Sequence, residues 1–197
     1  MNTDKLKSRD LVTIAIFTVV FFVIIMVGSM TFGLAPFLYP FLVSFIAIIG
    51  GTVWAYMRVK VPRRFTILIQ SVIISLLLYL IGAGWFLALG CLFGGIVAEL
   101  ITSIGGYKDF KFTVAGFVCF CLGMHFGAYL LPLTSRDEYV DFSVSAGIDA
   151  EYLDVFLDFM SWPIVLAAAA LCIVCAIVGM FIGKALLKKH FVKAGLV

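Results

Sequence analysis

Apolar residues run along this chain in six long blocks, at 11–27, 37–57, 65–81, 85–104, 112–133 and 162–187, with polar residues gathered between them. Each block approaches the ~20 residues that a helix needs to cross a hydrocarbon layer about 30 Å thick. Lipid offers the backbone no hydrogen-bond partner other than itself, so each block is predicted to be a membrane-spanning α-helix.

The polar segments between the blocks sort by charge. Lys5, Lys7 and Arg9 precede the first block, and Arg58, Lys60, Arg63 and Arg64 lie between the second and third. Lys108 and Lys111 lie between the fourth and fifth, and Lys184, Lys188, Lys189 and Lys193 close the chain. With six crossings all of these fall on one side and only Arg136 on the other. Basic residues stay in the cytoplasm, so both termini are predicted there. An odd number of crossings would scramble the pattern.

Three connections then face outward. Segment 28–36, GSMTFGLAP, is uncharged and, with Pro40, rich in turn formers, which predicts an irregular loop. Segment 82–84 is a tight turn. Segment 134–161 is long and acidic, with Asp137, Glu138, Asp141, Asp149, Glu151, Asp154 and Asp158 against Arg136. Within it, 149–159 has helical periodicity: Tyr152, Val155, Phe156 and Phe159 share one face and Glu151, Asp154 and Asp158 another. This predicts a short surface helix capped by Asp149. It either lies across the outer mouth or is an ordinary loop helix.

Composition agrees. Of 197 residues 64% are hydrophobic and 13% charged, and the mean hydropathy is +1.20. Soluble domains are near half apolar and a quarter charged. The chain reads as an all-α integral membrane protein, residues 1–197 forming one transmembrane domain. The start pairs a basic region with a long apolar run and no A-x-A cleavage pattern, so it reads as a retained first helix. No internal or inverted repeat is visible, which argues against a transporter built from two related halves.

Few residues carry chemistry. Glu99 is the one acid placed within the hydrocarbon, about 21 Å below Trp85 at helical rise. An intramembrane acid is costly and points to function. It is either a coupling or gating residue, or a structural acid satisfied by Gln70, a backbone group or a lysine. His125, between Gly123 and Gly127, either contacts a ligand from the outer side or bonds a neighbouring helix. Trp85, Trp162, Tyr39, Tyr79 and Tyr129 sit near outer helix ends, as an interfacial belt or as the lining of a cavity.

The five cysteines all fall within apolar blocks and behave as small hydrophobes. Cys172 and Cys175 share a helix face, but Cys119 and Cys121 point apart, so no converging metal site is expected. The stretch GMFIGKA at 179–185 is one residue short of a phosphate-binding loop and lacks its Ser/Thr. No G-x-S-x-G or His-Glu-x-x-His is present. Catalysis and nucleic-acid binding are therefore not expected. Small residues recur at Ala47, Gly51 and Ala55; Gly90, Gly94 and Ala98; Gly123 and Gly127; Gly179 and Gly183. They pack helices closely within the bundle or against a partner.

The basic start running into DLVTIAIFTVVFF, the LFGGIVAELI stretch with Glu99, and GGYK after the fourth block resemble the Trep–Strep family of bacterial integral membrane proteins. Its members are regarded as substrate-binding S components of energy-coupling factor (ECF) transporters. The resemblance implies a six-helix, S-component-like bundle in the bacterial cytoplasmic membrane with a small nutrient bound near the outer face. It implies that segment 28–40 acts as a lid and that later helices supply the pocket, favouring His125, Trp85 and Trp162, with Tyr39 and Tyr129 beside them. It further implies partners, namely a transmembrane coupling subunit and two ATPases. This chain would then bind no cofactor, ATP being used by the partners. Small residues on the first helix of many S components meet the coupling subunit. Here Ala15 is present, but Val19 follows four residues on, and Thr18 and Thr13 widen the small face. Glu99 is counted with the coupling residues. Apart from His125, the outer half carries no fixed charge inside the spans, which favours a neutral or amphipathic ligand. The competing reading is a stand-alone transporter or channel that uses Glu99 as a proton relay.

Overall fold

The computed structural model describes residues 6–193; Lys5 and the side chains of Lys189 and Lys193 lie outside what it describes. Among the described residues there are helices and no strands. The order is α1 (Ser8–Phe32), a 3-10 turn (Tyr39–Phe41), α2 (Leu42–Lys60), α3 (Thr66–Leu80) and α4 (Trp85–Ile104). Then come α5 (Phe110–Thr134), α6 (Arg136–Ser145), α7 (Ala150–Phe159) and α8 (Trp162–Lys193). Five of these helices are long and apolar enough to cross a membrane: α1, α2 with its leading turn, α4, α5 and α8. The block at 65–81, expected as a full span, is the 15-residue α3. At 1.5 Å per residue it covers about 22 Å, less than a hydrocarbon layer.

The helices alternate in direction, so the bundle has two chemically distinct ends. One end gathers Arg58, Lys108, Lys184 and Lys188 around the last turns of α2 and α8 and the start of α5. The other carries α6 and α7 with their carboxylates. We refer to them as the basic end and the acidic end.

Glycines set how closely the long helices approach. A methyl group on Gly90 of α4 would lie 2.3 Å from the Gly123 carbonyl oxygen of α5, and one on Gly94 would lie 3.1 Å from the Gly123 Cα. On the other side, a methyl on Gly51 of α2 would meet the Gly179 backbone of α8 at 2.7 Å, and one on Gly183 would meet Ala55 at 2.9 Å. All four small-residue faces expected from the sequence are thus consumed inside the bundle. Backbone contact of this kind replaces the hydrophobic drive that lipid removes.

Four rings fill the centre. Trp54 lies 5.0 Å from Phe117 and 5.0 Å from Phe120, and Phe21 meets Phe120 edge-on at 5.9 Å. All four are fully buried. The edge-on Phe21–Phe120 pair adds about 0.5–1.5 kcal/mol beyond area burial.

The acidic end departs from expectation in three places. The loop predicted at 28–36 begins only after Phe32, because α1 runs one turn further. Gly28 stays helical and admits α2: a methyl there would lie 3.0 Å from Leu42. Asp149 does cap α7, accepting the N–H groups of Glu151 and Tyr152 at 2.9 and 3.2 Å. The buried stripe of α7, however, is Leu153, Phe156 and Leu157, while Val155 is 50% exposed. Finally, Arg136–Ser145 forms a further helix, α6, where a loop was expected.

Candidate functional site

Capping, glycine packing and the central rings together leave a cavity at the acidic end. Its volume is about 290 Å³. Ile25, Met26 and Ser29 come from α1, Tyr39 from the 3-10 turn, and Leu42, Val43 and Ile46 from α2. The turn between α3 and α4 adds Gly82 to Gly84, followed by Trp85, Phe86 and Leu87 of α4. Gly82 and Gly84 have φ of +77° and +96°, a conformation open to glycine, and this brings Trp85 to the rim. Met124, Gly127, Ala128 and Leu131 of α5 form one wall, and α6 covers the cavity with Glu138, Tyr139, Phe142 and Ser143.

A second cavity of about 280 Å³ opens beside it, lined by Gly33, Tyr39, Tyr139, Ile148, Asp149 and Tyr152. Tyr39, Tyr139 and Ile148 belong to both linings, so the two cavities abut across a shared wall, and we refer to the second as the antechamber. Below the main cavity the path is closed. Ile25, Ile46 and Met124 line it, and one to two turns further toward the basic end lie Phe21, Trp54 and Phe120 of the ring cluster.

Of the residues singled out from sequence, Trp85 and Tyr39 line the cavity. Tyr129 stands behind it, fully buried, and its hydroxyl donates to the Tyr39 carbonyl at 2.5 Å. His125 points toward α8. Its Nε2–H donates to the Val165 carbonyl at 3.0 Å and its ring meets Tyr129 edge-on at 4.8 Å. Trp162 opens α8, is 49% exposed and lines neither cavity. Sequence reasoning missed Glu138, Tyr139 and Phe142, because it placed no helix there. Burial pushes the phenols of Tyr139 and Tyr152 above their usual range, so both remain neutral hydrogen-bonding groups.

Glu99 belongs to a separate polar layer near the basic end. Its Oε1 accepts the N–H of Phe65 at 2.6 Å, and its Oε2 those of Ile67 and Leu68 at 3.1 and 3.3 Å. These are orphan donors of the first turn of α3, where helix polarity favours an anion. Gln70 plays no part: its buried amide has no hydrogen-bond partner among the described residues. Arg58, also buried, donates to the carbonyls of Val61, Arg63 and Tyr107 at 3.2, 3.3 and 3.0 Å. Phe65 and Tyr107 are the two non-glycine residues at positive φ among the described residues, at 64° and 65°. Both are held by this carboxylate–guanidinium layer. Such backbone costs about 1–3 kcal/mol and persists only where the surroundings over-determine it. The layer extends to α1, where Asp10 pairs with Arg63 at 3.2 Å.

The first helix is divided lengthwise. Ile14, Thr18, Phe21 and Ile25 face inward, and the Thr18 hydroxyl returns to the Ile14 carbonyl at 2.7 Å. Ala15 lies on the exposed side with Val12, Ile16, Val19 and Val23.

The family model for Trep_Strep, described as a hypothetical bacterial integral membrane protein, matches residues 8–193. No curated protein and no solved structure matches the chain. The match extends over nearly the entire chain, from the start of α1 into α8, and the chain belongs to this family of multi-pass bacterial membrane proteins.

Proposed function

We propose that this chain is the substrate-binding component of an energy-coupling factor importer, capturing a small nutrient from outside the bacterial cytoplasmic membrane. In this reading both termini are cytoplasmic, the basic end faces inward, and α3 with its flanking turns completes a sixth crossing. One observation carries the reading: a cavity of about 290 Å³ opens at the acidic end above a fully buried plug of four rings. A pocket of that size is at the small end of those that hold organic ligands. A closed floor suits capture and release by a conformational change rather than continuous conduction. The energy for that change would come from partners. The GMFIGKA stretch lies within α8, where Gly179 and Gly183 pack against α2.

A stand-alone proton-coupled transporter is the weaker alternative. The Glu99 carboxylate, on which it depends, holds three backbone N–H groups of α3.

The test is mild-detergent purification of the tagged chain from native membranes, followed by uptake in vesicles. Co-purification of one membrane coupling subunit and two ATPases, with uptake that requires ATP, supports the proposal. Uptake by the chain alone that follows the proton gradient overturns it.

A further inference from the structure

We propose that the molecule captured at the acidic end is an organic cation, an apolar or aromatic framework carrying a quaternary or protonated nitrogen. The inference rests on the importer reading and departs from the neutral or amphipathic ligand expected from the spans alone, because the carboxylates come from α6 and the cap of α7, outside the spans.

Charge is the first argument. Neither cavity lining contains a lysine, arginine or histidine, whereas Glu138 lines the main cavity and Asp149 the antechamber. The one basic residue of segment 134–161, Arg136, is bound to Asp158 at 3.2 Å and lines neither. An anionic ligand would surrender its hydration without gaining a counter-charge, which is strongly unfavourable in an apolar site. A cation meets a carboxylate in each cavity, and the acidic face concentrates it there.

Ring chemistry is the second argument. Tyr39, Trp85, Phe86, Tyr139 and Phe142 surround the main cavity, and Tyr152 joins Tyr39 and Tyr139 in the antechamber. The negative faces of such rings attract ammonium groups, and do so more strongly when water is excluded. Rings also accept an apolar framework. The two cavities share the wall of Tyr39 and Tyr139, so the same two rings border both of them.

The experiment uses the full chain in lipid nanodiscs. The probes are low-molecular-weight cell extracts separated by ion exchange into cationic, neutral and anionic fractions, and the readout is the unfolding temperature. A ligand that binds only the folded state raises it. The cationic fraction is expected to raise Tm by several degrees, with the rise shrinking in high salt. A Glu138→Gln/Asp149→Asn variant should lose at least half of that rise while its unliganded Tm stays put. Both positions are exposed, and asparagine keeps the helix cap. A rise given only by the neutral or anionic fraction overturns the cation while leaving the importer reading intact. A cationic rise unchanged in the variant overturns the assignment to these carboxylates. No rise with any fraction overturns both the cation and the capture reading. Should the double variant unfold, Trp85→Phe and Trp85→Leu decide: a rise kept by Phe and reduced by Leu supports the ring site, and equal rises overturn it.

Discussion

Glu99 caps α3 from α4: its Oε1 takes the N–H of Phe65 at 2.6 Å, in a residue whose backbone is left-handed. The sequence left this acid as either a coupling residue or a structural acid satisfied by a backbone group, and in the structure it anchors the start of a short helix. Charge-assisted hydrogen bonds are worth about 1.5–3 kcal/mol each, and orphaned buried donors cost a similar amount. Glu99→Gln, which keeps an acceptor, should lower thermal stability modestly, and Glu99→Ala more. Uptake per folded molecule should persist in the Gln variant. Loss of uptake at unchanged melting temperature would instead make Glu99 a transport residue.

Gly90 and Gly123 approach through their backbones, so at this point of the α4–α5 seam no side chain can yield. Gly90→Val should destabilise the bundle by about 1–3 kcal/mol or more, the range for overpacked cores. Phe93, on the same helix but 64% exposed, is the control. Phe93→Ala should leave the melting temperature in membrane mimetics nearly unchanged. Equal effects at both positions would count against close packing as the role of Gly90.

The apolar blocks carried most of the fold into view. The bounds of α4 agree with the block that starts at Trp85 and ends at Ile104, and the Asp149 cap was legible because Asx residues before an amphipathic run have a specific local role. The helix α6 was not. Its apolar residues, Tyr139, Val140, Phe142 and Val144, crowd into a short stretch among acids and form no clean helical stripe. Its cavity residues were missed with it. Helix rotation was the other unreadable quantity. Met124, Gly127 and Ala128 face the cavity while His125, on the same stretch of α5, turns to α8. That rotation is fixed by the Gly90–Gly123 contact between two helices, which no single segment encodes.

Tyr129 and Tyr39 separate positioning from contact. Tyr129→Phe removes the hydroxyl that holds the Tyr39 carbonyl, at a cost of about 1 kcal/mol. It should weaken ligand binding only several-fold. Trp85→Ala opens the cavity rim itself and should weaken binding tenfold or more, whereas Trp162→Ala should leave affinity unchanged. Binding isotherms on the three variants give the order, and a Trp162 effect as large as that of Trp85 would relocate the site toward α8.

Alkaline titration reads the cover over the cavity. Burial holds the phenols of Tyr139 and Tyr152 above the ordinary value of 10.0. The unfolded chain therefore releases these protons first as pH rises. The stability they contribute is complete below about pH 10 and falls as pH climbs beyond it. Melting curves from pH 8 to pH 11 should show a decline confined to the alkaline end, reduced in Tyr139→Phe. A decline unaffected by that substitution would assign it to other groups.

Ala15 and Val19 lie on the exposed side of α1, whose inward stripe of Ile14, Thr18, Phe21 and Ile25 is already committed to the bundle. Because Thr18 is buried, any partner meeting this helix touches the Ala15 side, among valines and an isoleucine. In lipid, bulky groups there cost the isolated chain little, since tails pack against tryptophan as well as against alanine. A partner helix seated closely on Ala15 would be pushed away by the added ring. Ala15→Trp should therefore leave the melting temperature and ligand affinity of the isolated chain unchanged while reducing ATP-dependent uptake and co-purification of the coupling subunit at least tenfold. Thr18→Trp should behave oppositely, disrupting the fold before any partner is involved. If Ala15→Trp supports full uptake, the coupling subunit docks elsewhere, and the next exposed strip to scan is the face of α4 that carries Phe93 and Leu100.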